Sequence, residues 1–184
     1  MEIIEHRLDS ALHILSPNHD ARPCTDDISL IVIHCISLPP GEYGGPWIED
    51  LFTNRLDGLA HPYFSTICQL KVSAHVLIRR DGQMIQFVAF DRRAWHAGVS
   101  SYAGRTRCND FSIGIELEGT DDTAYAEIQY VRLVELIRAL LQNYPRLAPE
   151  RITGHSDIAP GRKQDPGQYF DWKRLFATLA KAEA

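Results

Sequence analysis

Phe111-Ser112-Ile113-Gly114-Ile115-Glu116-Leu117-Glu118 is the stretch that decides the fold class. Apolar residues alternate there with small or polar ones at the period of a β-strand, which puts Phe111, Ile113, Ile115 and Leu117 on one face. Ser112, Gly114, Glu116 and Glu118 share the other face. Gly114 leaves that second face open beside Glu116, which suits the floor of a cleft better than a packed core.

Upstream, Ser29-Leu30-Ile31-Val32-Ile33-His34 is a short run rich in β-branched residues and reads as a buried strand ending in a histidine. Pro39-Pro40-Gly41-Glu42-Tyr43-Gly44-Gly45-Pro46 is dense in chain punctuators and forms a loop, with a short helix expected over 47–55. Residues 72–79 and 83–90 are two further β-rich runs, split by Arg80-Asp81-Gly82. The Asp-Gly pair suits a tight hairpin turn because both central residues accept positive φ. Downstream, residues 127–143 turn helical. Val134, Ile137 and Leu141 lie on one stripe flanked by Leu133, Leu136 and Leu140, and Pro145 closes the run. Asp171 is a good N-cap for a last helix, with Phe170 and Leu175 placed as a hydrophobic staple. Strands and helices mixed without a regular βαβ alternation predict an α/β chain of the mixed α+β kind. The expectation is one domain over 1–184, with a central mixed β-sheet covered by helices and a cleft at strand ends.

The 184 residues fit one compact domain, and a chain of this size buries roughly two-thirds of its unfolded surface without staples. Nineteen Lys and Arg against twenty-four Asp and Glu give a net charge of −5. That balance argues against a nucleic-acid or anionic-membrane binder. The first residues, Met1-Glu2-Ile3-Ile4-Glu5-His6-Arg7, lack the basic start and apolar run of a secretory signal, and no stretch approaches the ~18 apolar residues of a membrane span. Cys24, Cys35, Cys68 and Cys108 are irregularly spaced and contain no C-x-x-C, so reduced thiols in a cytoplasmic protein are expected. No obligate protein partner is evident.

The densest polar cluster runs from Gly154 through His155, Ser156 and Asp157 to Lys163, Asp165 and Gly167. Irregular backbone of this kind often holds functional side chains on a rigid scaffold. His155 and Asp165 converge if the loop between them folds back, and the strand-terminal His34 can supply a third ligand. Two imidazoles and one carboxylate leave a metal position open for water, as a catalytic rather than structural zinc requires. Each residue also has a plainer reading: His34 as a satisfied strand-end histidine, Asp165 as a turn former, Glu116 and Lys163 as solvated charges. His75 and His96 read as buried supporting histidines, Asp157 as a residue that shapes its loop, and Asn109 as a brace for the loop before the Glu116 strand.

Six blocks carry a family resemblance. They are Val32-Ile33-His34, Ser37 through Gly45, Ser73-Ala74-His75-Val76-Leu77-Ile78, Arg93-Ala94-Trp95-His96-Ala97-Gly98, Cys108 through Glu116, and His155 through Gly167. In this order the chain resembles the zinc-dependent N-acetylmuramoyl-L-alanine amidases, and within them the cytoplasmic enzymes that act on anhydro-muropeptides. The resemblance implies one Zn2+ held by His34, His155 and Asp165, with Glu116 and Lys163 acting on the substrate. It also implies an anhydro-muropeptide substrate cut between the lactyl group and L-alanine, and makes Trp95 and Arg107 substrate contacts, with Lys71 adding charge nearby. One departure stands out: Cys35 follows the first histidine where relatives usually carry Asn, and a thiol replaces an amide poorly as a hydrogen-bonding group. As a strand neighbour of His34, Cys35 is expected to point to the opposite face rather than join the ligands.

Other readings compete. A peptidoglycan-recognition module holds the same ligand without cutting it, and an endolysin-type amidase acts on intact wall. His155-Ser156-Asp157 also spells the H-x-D of a non-haem iron triad, although no histidine follows His155.

Overall fold

Two seven-residue strands lie side by side and parallel at the centre of the molecule, and their apolar runs are the reason. The computed structural model describes residues 1–181. Its central sheet contains Leu12–His13 (β1), Leu30–Ile36 (β2), Val76–Ile78 (β3), Met84–Gln86 (β4), Ser112–Glu118 (β5) and Ile152–Gly154 (β6). Their spatial order is β6-β2-β5-β3-β4-β1. The β5 strand runs parallel to both β2 and β3, and β6 runs parallel to β2. The sheet is mixed because β3 and β4 form an antiparallel hairpin. Parallel strands covered on both faces must be apolar throughout, which accounts for the continuous run of β2.

One face carries Ile31, Ile33, Ile113, Ile115 and Leu117, which pack against Leu133, Ile137 and Leu140 of the helix Glu127–Asn143. The helix Trp172–Leu179 joins the same layer through Leu175. Asp171 accepts a hydrogen bond from the Arg174 N–H, so the expected N-cap forms, with Phe170 and Leu175 in one cluster beneath it. The other face carries Leu30 and Val32 with Ala97, Cys108 and Ile158. A third cluster sets Leu77, Ile85 and Phe87 against the short helix Trp47–Phe52 and Phe64.

Two local expectations change. Phe111 precedes β5 and packs with Leu30 and Val32 rather than with Ile113, because the one-turn helix Cys108–Asp110 breaks the alternation at that point. The hairpin loop holds three residues, closed by Arg79 N–H to Gln83 C=O, and only Gly82 takes positive φ, at 87°. This is the three-residue hairpin with a left-handed glycine, not the two-residue turn. No helix among the described residues is long and apolar enough to cross a membrane.

Candidate metal centre and active site

Register does most of the assembly. His34 lies opposite Glu116 across the parallel β2–β5 pair, and Gly154 at the end of β6 lies beside Ile33. The chain turns at Gly154 into a one-turn helix, His155–Ile158, so His155 emerges next to His34 at the carboxyl ends of the strands. In open sheets that end is where ligand crevices form. Asp165 returns because the Ser156 N–H donates to the Asp165 carbonyl at 2.9 Å, closing the loop on itself. Gly154 permits the return: a Cβ there would stand 2.9 Å from Cδ of Pro166.

Three ligand atoms meet as a result. Nδ1 of His34 is 2.9 Å from Nδ1 of His155, and each is 3.0 Å from Oδ2 of Asp165. A tetrahedral zinc bonded at about 2.0–2.1 Å spaces its ligands by about 3.3 Å, so the triangle matches such an ion after a small outward relaxation. The outer nitrogens agree. Nε2 of His155 is 3.1 Å from the Ala97 carbonyl, which only accepts, so Nε2 carries the proton and Nδ1 offers a lone pair to the centre. Nε2 of His34 is 2.9 Å from Nδ1 of His96, leaving its Nδ1 on the same centre.

The electrostatics separate the groups. Burial opposes ionisation of Asp165, but the His155 and His34 rings, each with Nδ1 3.0 Å from its Oδ2, outweigh it and hold the carboxyl well below the usual range. Burial pushes the His34 pKa down to about 4, keeping the imidazole neutral as a ligand must be. Glu116 goes the other way: burial first, then the charge of Asp165, raise it well above an ordinary glutamate, with Lys163 opposing. Its Oε2 is buried and makes no hydrogen bond. A buried carboxylate oxygen without a partner is costly, and such groups concentrate at functional sites.

The triad, Glu116 and Lys163 all line one cleft of about 560 Å³. Trp95 forms part of its wall together with apolar residues that include Leu38, Phe52, Ile67 and Val72. Trp95 is held from behind, its Nε1–H donating to Asp20 at 3.3 Å. Arg107 and Lys71 are not brought into this lining. Arg107 is 70% exposed and pairs with Asp110 at 3.2 Å, and Lys71 is exposed beside the lining residues Leu70 and Val72.

Cys35 packs with the helix-covered core on the far face, where burial pushes its thiol up to about 12. Asp157 accepts from the Thr153 hydroxyl and the Gly154 N–H, shaping the turn rather than joining the ligands. His75 is buried between Arg22, the Arg92 carbonyl and the Gly114 N–H. The open floor expected at Gly114 is filled: the His96 ring occupies it, and a Cβ at 114 would meet Cγ of His96 at 2.4 Å. A glycine in a strand marks close approach as readily as open space, and the sequence pattern does not distinguish them. Asn109 ties the turn before the Glu116 strand to the 96–97 segment, its Oδ1 accepting from the N–H groups of His96 and Ala97.

Residues 25–168 match the sequence profile of the N-acetylmuramoyl-L-alanine amidases. The 1,6-anhydro-N-acetylmuramyl-L-alanine amidase AmpD of Enterobacter cloacae is 60% identical over 169 residues, 92% of this chain and 90% of that protein. A crystal structure of a selenomethionine derivative of AmpD superposes with a TM-score of 0.95 at 57% identity, covering 97% of this chain and 99% of that one. AmpDh3 of Pseudomonas aeruginosa, solved in complex with an anhydromuramic pentapeptide, is 32% identical with a TM-score of 0.61. That match covers 84% of this chain and 61% of the other.

Proposed function

The chain belongs to the N-acetylmuramoyl-L-alanine amidase family, and from that premise we propose that it hydrolyses 1,6-anhydro-N-acetylmuramyl peptides. The bond cut is the amide between the lactyl group of the muramic sugar and L-alanine, in the cytoplasmic recycling of wall fragments. The whole chain acts as one amidase domain. The observation that carries the reading is Glu116, whose Oε2 is buried without a partner, lining the same cleft as the His34-His155-Asp165 triangle.

In this reading His34, His155 and Asp165 hold one zinc ion. The chemistry supplied by zinc in such a site is Lewis acidity, which acidifies water towards a pKa of ~7 and polarises a carbonyl. Glu116 receives the proton of the attacking water on its carboxylate and returns it to the departing L-alanine nitrogen. Burial raises its pKa above that of an ordinary glutamate, which strengthens it as a proton acceptor. Lys163, which lines the cleft, offsets negative charge on the lactyl carbonyl oxygen. Trp95 offers an aromatic wall, and the apolar side chains around it exclude water. Arg107 and Lys71, outside the lining, are left as cations for the carboxylates of a stem peptide that extends from the cleft.

Mass spectrometry of an anhydro-muropeptide incubated with the protein tests the reading. Free stem peptide should appear, stop on chelation and return with zinc. Release unaffected by chelation would remove the triad from the reaction. Binding without release would make the chain a recognition module.

A further inference from the structure

Both imidazoles of the triangle are supported from behind by two consecutive residues. His96 meets Nε2 of His34 at 2.9 Å, and the Ala97 carbonyl meets Nε2 of His155 at 3.1 Å. We propose that the segment 95–97, braced by Asn109, is the orienting support of the metal centre, with His96 and Asn109 as positioning residues. The inference rests on the zinc reading above.

The hydrogen bonds run in one direction. If His34 offers Nδ1 to a metal, its Nε2–H donates to Nδ1 of His96. Nε2–H of His96 then donates to the Ser112 hydroxyl, 3.1 Å away and fully buried. The ring of His96 is pinned on its other side by the absence of a side chain at Gly114. Asn109 does not approach the ligands. It accepts the His96 N–H at 3.2 Å and the Ala97 N–H at 2.8 Å through one oxygen, so a single carboxamide fixes the supports of both histidines. It sits in the turn Cys108–Asp110, just ahead of the strand that carries Glu116, which ties the ligand supports to the proposed proton acceptor. Arg162 donates to the same Ala97 carbonyl at 2.6 Å and joins the ligand loop to this segment. His96 is not itself a fourth ligand, since the nitrogen facing His34 meets the outer Nε2 rather than the triangle. Groups that orient metal-bound histidines in this way are worth about 10–100-fold in metal affinity.

Zinc affinity of the full chain, read by chelator competition, tests this directly. His96→Leu and Asn109→Leu should each weaken zinc binding about 10–100-fold. His96→Asn keeps an acceptor near the position of Nδ1 and should recover most of the loss, which a purely structural role for the ring does not predict. Wild-type affinity in both leucine variants would overturn the inference. Should those variants fail to fold, the zinc-loaded wild type answers alone. A through-hydrogen-bond nitrogen–nitrogen coupling between His34 and His96 is expected, and its absence overturns the proposal. His34→Ala separates the two readings: unchanged zinc binding in that variant, or none in the wild type, fails the metal site itself and the inference with it.

Discussion

Glu116 and Glu118 sit two residues apart on the same face of one strand, both buried, and have opposite surroundings. Glu118 is fully used. Its Oε1 accepts from the Gly44 N–H at 2.7 Å and from Arg79 at 3.0 Å, and its Oε2 accepts from the Arg80 N–H at 3.1 Å. Arg79 is in turn held by Glu49 at 2.5 Å, and Gln129 ties the Glu118 carbonyl to that of Ile78. Glu116 has an orphaned oxygen and a carboxyl that burial pushes towards the neutral form. The same residue type on the same pleat is therefore part of the scaffold in one place and chemically poised in the other. What differs is whether donors surround it, not how deeply it lies.

Exchanging the two charges in turn tests that contrast most severely. Glu116→Gln should reduce amide hydrolysis about 10²–10⁴-fold, the range of a lost proton-transfer group. It should also make the metal-free protein more stable at neutral pH. Glu116 has a raised folded pKa, so the wild type loses stability as pH rises above the ordinary value of 4.5 towards that raised pKa, and the glutamine variant does not. Denaturant midpoints that coincide at every pH would sink the poised-carboxyl reading. Glu118→Ala should do the reverse, costing about 3 kcal/mol of stability because the buried Arg79 loses one of its two carboxylate partners. Zinc affinity should survive that change in the folded molecules. A larger loss of turnover than of stability in Glu118→Ala would erase the distinction between the two sites.

The histidines give a smaller effect with a defined sign. Burial lowers the pKa of His34, His75 and His96. The unfolded chain therefore takes up protons first as pH falls, and stability present above pH 6.5 is lost below it. Each histidine adds at most about 1.4 kcal/mol per pH unit to that slope. Unfolding of metal-free Glu116→Gln, which lacks the opposing slope of Glu116, should show the decline when followed from pH 7.5 to 5. A flat profile would mean that these rings are not neutral in the fold.

How much of this the chain spells out depends on the distance over which the information travels. The strands β2 and β5, the helix Glu127–Asn143 and the Asp171 cap were legible, because each is written in residues a few positions apart. The meeting of His34, His155 and Asp165 was legible only as a condition, that the loop after His155 fold back. The backbone bond from Ser156 to Asp165 that satisfies it has no signature of its own. The occupant of the Gly114 gap lies 18 residues away, and the pattern marks only that a side chain is missing there. Asn109 was readable as a brace but not as a brace for His96, since its partners are backbone groups that any residue carries. Arg107 and Lys71 carry the right charge for a substrate carboxylate, yet charge does not tell which side of the cleft wall a residue occupies.

Cys35 offers the mildest test, on the reverse of the sheet at the same level. It pairs in register with Leu117, between the two glutamates, so its side chain packs against the helix layer and Tyr125 while the residue also borders the cleft. With its thiol pushed up to about 12 by burial, Cys35 carries too little thiolate at pH 7 for ready alkylation. Iodoacetamide on the native zinc-loaded protein should modify the exposed Cys24 first, leave Cys35 intact and change turnover little. Rapid modification of Cys35, read by peptide mass spectrometry, would mean that the thiol turns into the cleft and shares its charge. The contrast between adjacent positions on the strand pair would then be one of degree, because the substrate would meet the Cys35 side chain as well as that of Glu116.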